Sequence, residues 1–160
     1  MMDIYLAGGV MAFNLWVARF GMWPYTLVSL PSTIAHELSH YCAAKLLFAS
    51  PAFPTLLPRR VPGGWVLGSV AFHATIFNRI PVALSPLLLL PAAIWMMTNW
   101  MPTATGMNYL LDGWAAGNLL QACLPSRHDW KIALPALVVG VGVLAAIALF
   151  GGGKLLYERL

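Results

Sequence analysis

Charge is scarce in this chain. Asp, Glu, Lys and Arg make up 9% of its 160 residues, where a typical soluble domain carries about 25%. Nine Lys and Arg set against five Asp and Glu give a net charge of +4. The basic residues are scattered through short polar connections, which excludes the continuous basic face that tracks nucleic acid. Cysteine is almost missing as well. Cys42 and Cys123 each lie in an apolar run and form no metal-binding pair, so neither a thiolate zinc site nor a disulfide framework is expected. A positively charged leader is also lacking. Met1-Met2-Asp3 opens directly onto an apolar run with no small-x-small cleavage site after it, so that run is expected to be retained. No internal repeat or low-complexity tract stands out.

What is abundant is apolar side chain, at 60% of the residues against roughly 45 to 50% in soluble domains. Lipid is the solvent this composition suggests. Five runs approach the roughly 20 apolar residues that a spanning helix needs: Ile4 to Phe20, Pro24 to Phe48, Ile80 to Met97, Thr105 to Leu124 and Ile132 to Phe150. The expectation is therefore an all-α integral membrane protein, a single domain over residues 1–160 with about five transmembrane helices, multi-pass in a cell membrane. Between the second and third runs, Pro51, Pro54, Pro58 and Pro62 forbid a continuous helix. The stretch Trp65 to Phe72 is rich in β-formers, so a short β-like hairpin or re-entrant segment is expected there, lining a watery cavity. Gly113 and Gly117 are spaced to let two helix backbones approach closely.

One motif carries chemistry. Inside the second run stands His36-Glu37-Leu38-Ser39-His40. On a helix, residues four apart lie on the same side, one turn from each other, so both imidazoles reach toward one point as two ligands of a tetrahedral zinc must. Glu37, beside the first ligand, is placed to take a proton from a water at the metal without binding the metal itself. Chance would produce this pattern in a chain of this composition about once in 800. Ionisable groups within an apolar helix are costly unless paired or metal-bound, and here three fall within five residues.

Two histidines leave a catalytic zinc one protein ligand short. The candidates are Asp112, Asp129, His73, His128, Asp3 and Glu158. Asp112, about two turns into the fourth run, matches the depth of His36 and His40 if the runs cross a membrane in alternation. It has no local cation, so a metal would be an efficient partner. Asp129, in Pro125-Ser126-Arg127-His128-Asp129-Trp130-Lys131, reads instead as a solvated or helix-capping carboxylate. Asn118 reads chiefly as a packing amide, with ligand orientation or substrate binding as alternatives.

The helix His36 to His40 together with Leu111-Asp112-Gly113 resembles the site-2 protease family of intramembrane zinc metallopeptidases. The resemblance spans about Pro24 to Leu124. Asn99-Trp100-Met101-Pro102 supplies the first half of the Asn-x-x-Pro-x-Pro run usual in that family, Ala104 stands where its second proline would be, and the spacer to Leu111 is longer. The resemblance implies Zn2+ bound by His36, His40 and Asp112, Glu37 as general base, and a membrane protein or peptide as substrate. The expected function is thus zinc-dependent peptide hydrolysis by an activated water. The competing classes are a non-catalytic metal-binding membrane scaffold and a small ion transporter that uses intramembrane His and Asp.

Overall fold

The computed structural model describes residues 2–62, 64–75 and 77–157. Among them are six α-helices and one two-stranded sheet. The apolar N-terminal run forms α1 (Met2–Val17), followed by a single 3-10 turn (Ala18–Phe20). Gly21, at φ 115°, adopts a backbone conformation that a Cβ would resist, and it reverses the chain into α2 (Met22–Leu46). Pro31 lies inside α2, where its missing N–H withdraws one rung from the helical ladder.

Beyond α2 the prolines leave the chain extended, and it folds back on itself as a long ribbon. His73 N–H donates to the Ala49 carbonyl, Ala52 N–H to Ala71, and Thr55 and Ser69 exchange both backbone bonds. At the far end, β1 (Arg59–Val61) pairs antiparallel with β2 (Gly64–Val66), Arg59 opposite Val66. The third apolar run, studded with Pro81, Pro86 and Pro91, breaks into pieces. These are α3 (Arg79–Ala83), a 3-10 turn (Ser85–Leu88), α4 (Leu89–Trp95) and a π-helical turn (Met96–Trp100) that leads into a 3-10 turn (Met101–Thr103). Then come α5 (Gly106–Ala122) and α6 (Arg127–Tyr157).

This architecture corrects the membrane expectation. Among the described residues no helix is long and apolar enough to cross a membrane, so five transmembrane helices and a multi-pass membrane location do not follow. The reasons are local. The 16 residues of α1 make about 24 Å of helix, short of the roughly 30 Å hydrocarbon layer. Helix α2 has the length, but Ser29, Ser32, Thr33, His36, Glu37, Ser39, His40 and Lys45 interrupt its apolar character. Prolines divide the third run, and α5 has 17 residues. The fifth run falls in α6, where the side chains at 136, 144, 146, 147, 149 and 150 lie outside the described set.

Small residues dominate the core. Ala7 of α1, Met96, Met97 and Met101 at the end of the broken run, and Ala116 of α5 form one cluster; Ala44, Ala49 and Val82 form another under the ribbon. Much of the larger apolar side chain lies on the surface instead, Trp23, Leu27, Phe48, Phe53 and Phe77 among it. The α1–α5 contact is close. A Cβ on Gly117 would stand 2.6 Å from the Ala7 carbonyl oxygen, and one on Gly113 would overlap Leu6. The glycine pair thus joins two helices of one chain. Buried Asn14 donates from Nδ2 to Asn118 Oδ1 at 3.3 Å and to Gln121 Oε1 at 2.8 Å, and Gln121 Nε2 donates to the Tyr25 hydroxyl. This polar ladder ties α1, α2 and α5 together, and Asn118 belongs to it.

Candidate metal centre

One turn of α2 brings the two imidazoles face to edge, as the four-residue spacing requires, with Nε2 atoms 3.2 Å apart. The other ring nitrogen of each is committed elsewhere. His36 Nδ1–H donates to the Ala122 carbonyl at the end of α5, and His40 Nδ1–H donates to the Val82 carbonyl of α3, each at 2.8 Å. A carbonyl only accepts, so the proton of each neutral ring sits on Nδ1, and Nε2 presents a lone pair. Ser85 adds a hydroxyl that donates to the same Val82 oxygen at 2.8 Å.

Asp129 closes the group. Its Oδ2 lies 3.3 Å from His36 Nε2 and its Oδ1 3.3 Å from His40 Nε2, with the three side chains largely buried. Three lone-pair donors therefore converge where none has a hydrogen to give, an arrangement that needs a cation or an added proton at its centre. A metal bonded at about 2.05 Å to two tetrahedral donors holds them about 3.3 Å apart; here the two Nε2 atoms are 3.2 Å apart and each lies 3.3 Å from a different oxygen of Asp129, while one ligand atom per residue keeps all three within 4.8 Å. His36, His40 and Asp129 form a possible metal-binding group, and each histidine has the backbone carbonyl partner that usually orients an imidazole ligand.

Asp129 owes its position to the start of α6. Ser126 N–H donates to Asp129 Oδ2 at 2.6 Å, and Asp129 N–H donates to Ser126 Oγ at 3.2 Å. This is a reciprocal capping box, the Ser-x-x-acid pattern that satisfies two orphan donors at a helix N-terminus. The carboxylate that reads from sequence as solvated or helix-capping is therefore buried, part of the cap, and the third member of the possible metal-binding group.

Asp112 is not brought to the imidazoles. It lies ten residues before Ala122 on α5, about 15 Å along the helix axis from the carbonyl that holds His36, and borders a separate cavity of about 380 Å³ with Trp100, Thr103 and Asn108. Depth counted along straight runs does not carry over to this fold, because the third run is broken into short pieces. His73 and His128 are exposed, Asp3 belongs to α1, and Glu158 lies outside the described residues.

Glu37 is buried beside the pair. Its neighbour is the ribbon: a Cβ on Gly68 would stand 2.6 Å from Glu37 Cγ and 2.8 Å from Oε1. The backbone at Gly68 therefore lies directly on the Glu37 side chain, in the stretch expected to line a cavity, and no motif marks it. Burial raises the Glu37 carboxyl above its usual range, and Asp129 adds to this against the opposing pull of the two histidines. Burial pulls the His36 imidazole down, but Asp129, the Ala122 carbonyl and Glu37 together outweigh it and leave it raised. For Asp129 burial acts upward, and bonds from His36, His40 and Ser126 bring the carboxyl well below its ordinary value.

No protein-family model, curated protein or solved structure matches this chain. Among the described residues the possible metal-binding group takes Asp129, and Asp112 of Leu111-Asp112-Gly113 is not part of it.

Proposed function

We propose that this chain is a zinc-dependent peptide hydrolase in which His36, His40 and Asp129 hold the metal and Glu37 is the general base. The observation that carries the proposal is the convergence of His36, His40 and Asp129, largely buried and with ligand atoms within 4.8 Å of one another, beside the buried carboxyl of Glu37. Two neutral imidazoles and one carboxylate suit Zn2+ among the divalent ions. When bound, the ion supplies Lewis-acid activation of a water and of the substrate carbonyl.

The chain's own residues do the rest. His36 and His40 keep Nε2 free because their Nδ1–H groups are held by Ala122 and Val82. Glu37 accepts the proton of the attacking water and delivers it to the leaving amide nitrogen, a role helped by burial, which raises its carboxyl above the usual range. Gly68 leaves Glu37 the space to do so.

Glu37→Gln tests this proposal. Hydrolysis of a quenched fluorescent peptide library by the zinc-loaded chain is expected to fall by about 10²- to 10⁴-fold, with zinc stoichiometry unchanged. Undiminished hydrolysis in that variant would refute the general-base role. Stoichiometric zinc without hydrolysis by the parent chain would favour a non-catalytic metal-binding scaffold.

A further inference from the structure

The centre has a part that the HExxH pattern does not contain. Its two histidines are carried by the middle of a 25-residue helix, and their rings are fixed by backbone carbonyls of two other elements. Asp129 has no such frame. It stands in the first turn of α6, after a short connection from α5, and its carboxylate must face α2 for the donor set to close. Besides the histidines, it meets the Ser126 backbone N–H and, through its own N–H, the Ser126 hydroxyl.

We infer that Ser126 is a positioning residue of the metal centre. The hydroxyl, by accepting from Asp129 N–H, fixes the backbone from which the carboxylate departs, and the Ser126 N–H at 2.6 Å from Oδ2 turns the carboxylate plane toward His36. The same two bonds start α6, so metal binding and the first turn of that helix support each other. Oδ2 is shared between the cap and the centre, 2.6 Å from one donor and 3.3 Å from His36 Nε2. Partners of this kind typically govern metal affinity by about 10- to 100-fold. This inference rests on the proposed metal site, and on no claim about catalysis.

The test uses the full chain and Zn2+ in competition with a chelator. Ser126→Gly is the informative variant, because Gly at an N-cap costs only a few tenths of a kcal/mol relative to Ser, so α6 is retained while the hydroxyl is lost. Zinc affinity is expected to fall about tenfold or more, with the metal-free melting temperature little changed. The Co2+-loaded variant is expected to show an altered visible spectrum. Ser126→Thr, which keeps the hydroxyl, is expected to bind Zn2+ like the parent. If Ser126→Gly binds Zn2+ within twofold of the parent, Ser126 is merely a cap and the inference fails while the metal site stands. If the parent chain binds no Zn2+, the metal site itself fails, and the inference with it.

Discussion

His36 Nε2 and Asp129 Oδ2 meet at 3.3 Å although one belongs to the middle of α2 and the other to the first turn of α6. That contact makes a three-donor centre of a two-histidine motif. Helices α3 and α5 brace it through Val82 and Ala122, so the centre joins four elements.

The ribbon's approach to Glu37 gives a sharp expectation. In Gly68→Ala the added methyl meets Cγ, Oε1 and Cδ of Glu37, all within 3 Å, so either the ribbon or the carboxyl must shift. Peptide hydrolysis is expected to drop at least tenfold, since a misplacement of about 1 Å in a catalytic group can cost around 10² in rate. Zinc content should stay at the parent level. Parallel loss of zinc and activity would mean that Gly68 supports the fold and not the position of Glu37.

Stability against pH should differ between the metal-free and metal-loaded chains. In the metal-free chain His36 is raised above its ordinary 6.5, so its contribution is complete below that pH and is lost as pH rises through the raised value. Glu37, also raised, penalises the folded state in the same direction. Asp129 is lowered from its ordinary 3.8, so its contribution is present above that pH and is lost as pH falls. Metal-free protein should thus be most stable between about pH 4 and 6.5 and lose stability toward pH 8. Zinc must displace the proton on the donor set, so its affinity should rise over the same interval. Melting curves in excess chelator and in excess Zn2+ at pH 5.5 and 8 check both signs. A metal-free melting temperature that climbs over this interval would contradict the assignment.

The α1–α5 contact should tolerate no bulk. Gly117→Val places side-chain atoms against the Ala7 carbonyl and Val10, which a Cβ alone would already approach to 2.6 and 2.7 Å. Overpacking of this kind costs about 1 to 3 kcal/mol, and a rigid backbone carbonyl argues for the upper part of that range. Chemical denaturation of the metal-free chain measures it. A change under about 0.5 kcal/mol would show that α1 does not seat on α5 this closely.

How much of this could be read from the sequence varies by residue. His36, Glu37 and His40 were legible because a four-residue spacing is a local property of a helix, and local geometry survives whatever the tertiary arrangement. The third donor was not legible in the same way. Depth along straight runs points to Asp112, and that count assumes an unbroken third run, which Pro81, Pro86 and Pro91 divide into α3, a 3-10 turn and α4. Asp129 reads as a solvated or helix-capping carboxylate; it does take part in the cap, but it is buried and not solvated. The pattern Ser126-x-x-Asp129 held a further clue, for a cap fixes a carboxylate rigidly at a helix start. High apolar content suggests spanning helices, yet among the described residues no helix is both long and apolar enough, and many large apolar side chains are exposed. Gly68 has no signature at all, because its importance arises only where the ribbon crosses α2.

The central claim is that His36, His40 and Asp129 hold one metal ion. Zinc stoichiometry of the purified full chain, measured for the parent and for Asp129→Ala and Asp112→Ala, tests it most directly. One zinc per chain is expected in the parent and in Asp112→Ala, with affinity in Asp129→Ala reduced by at least 10²-fold, the lower range for losing a charged ligand from a buried centre. Full zinc retention in Asp129→Ala, with loss in Asp112→Ala, would contradict it.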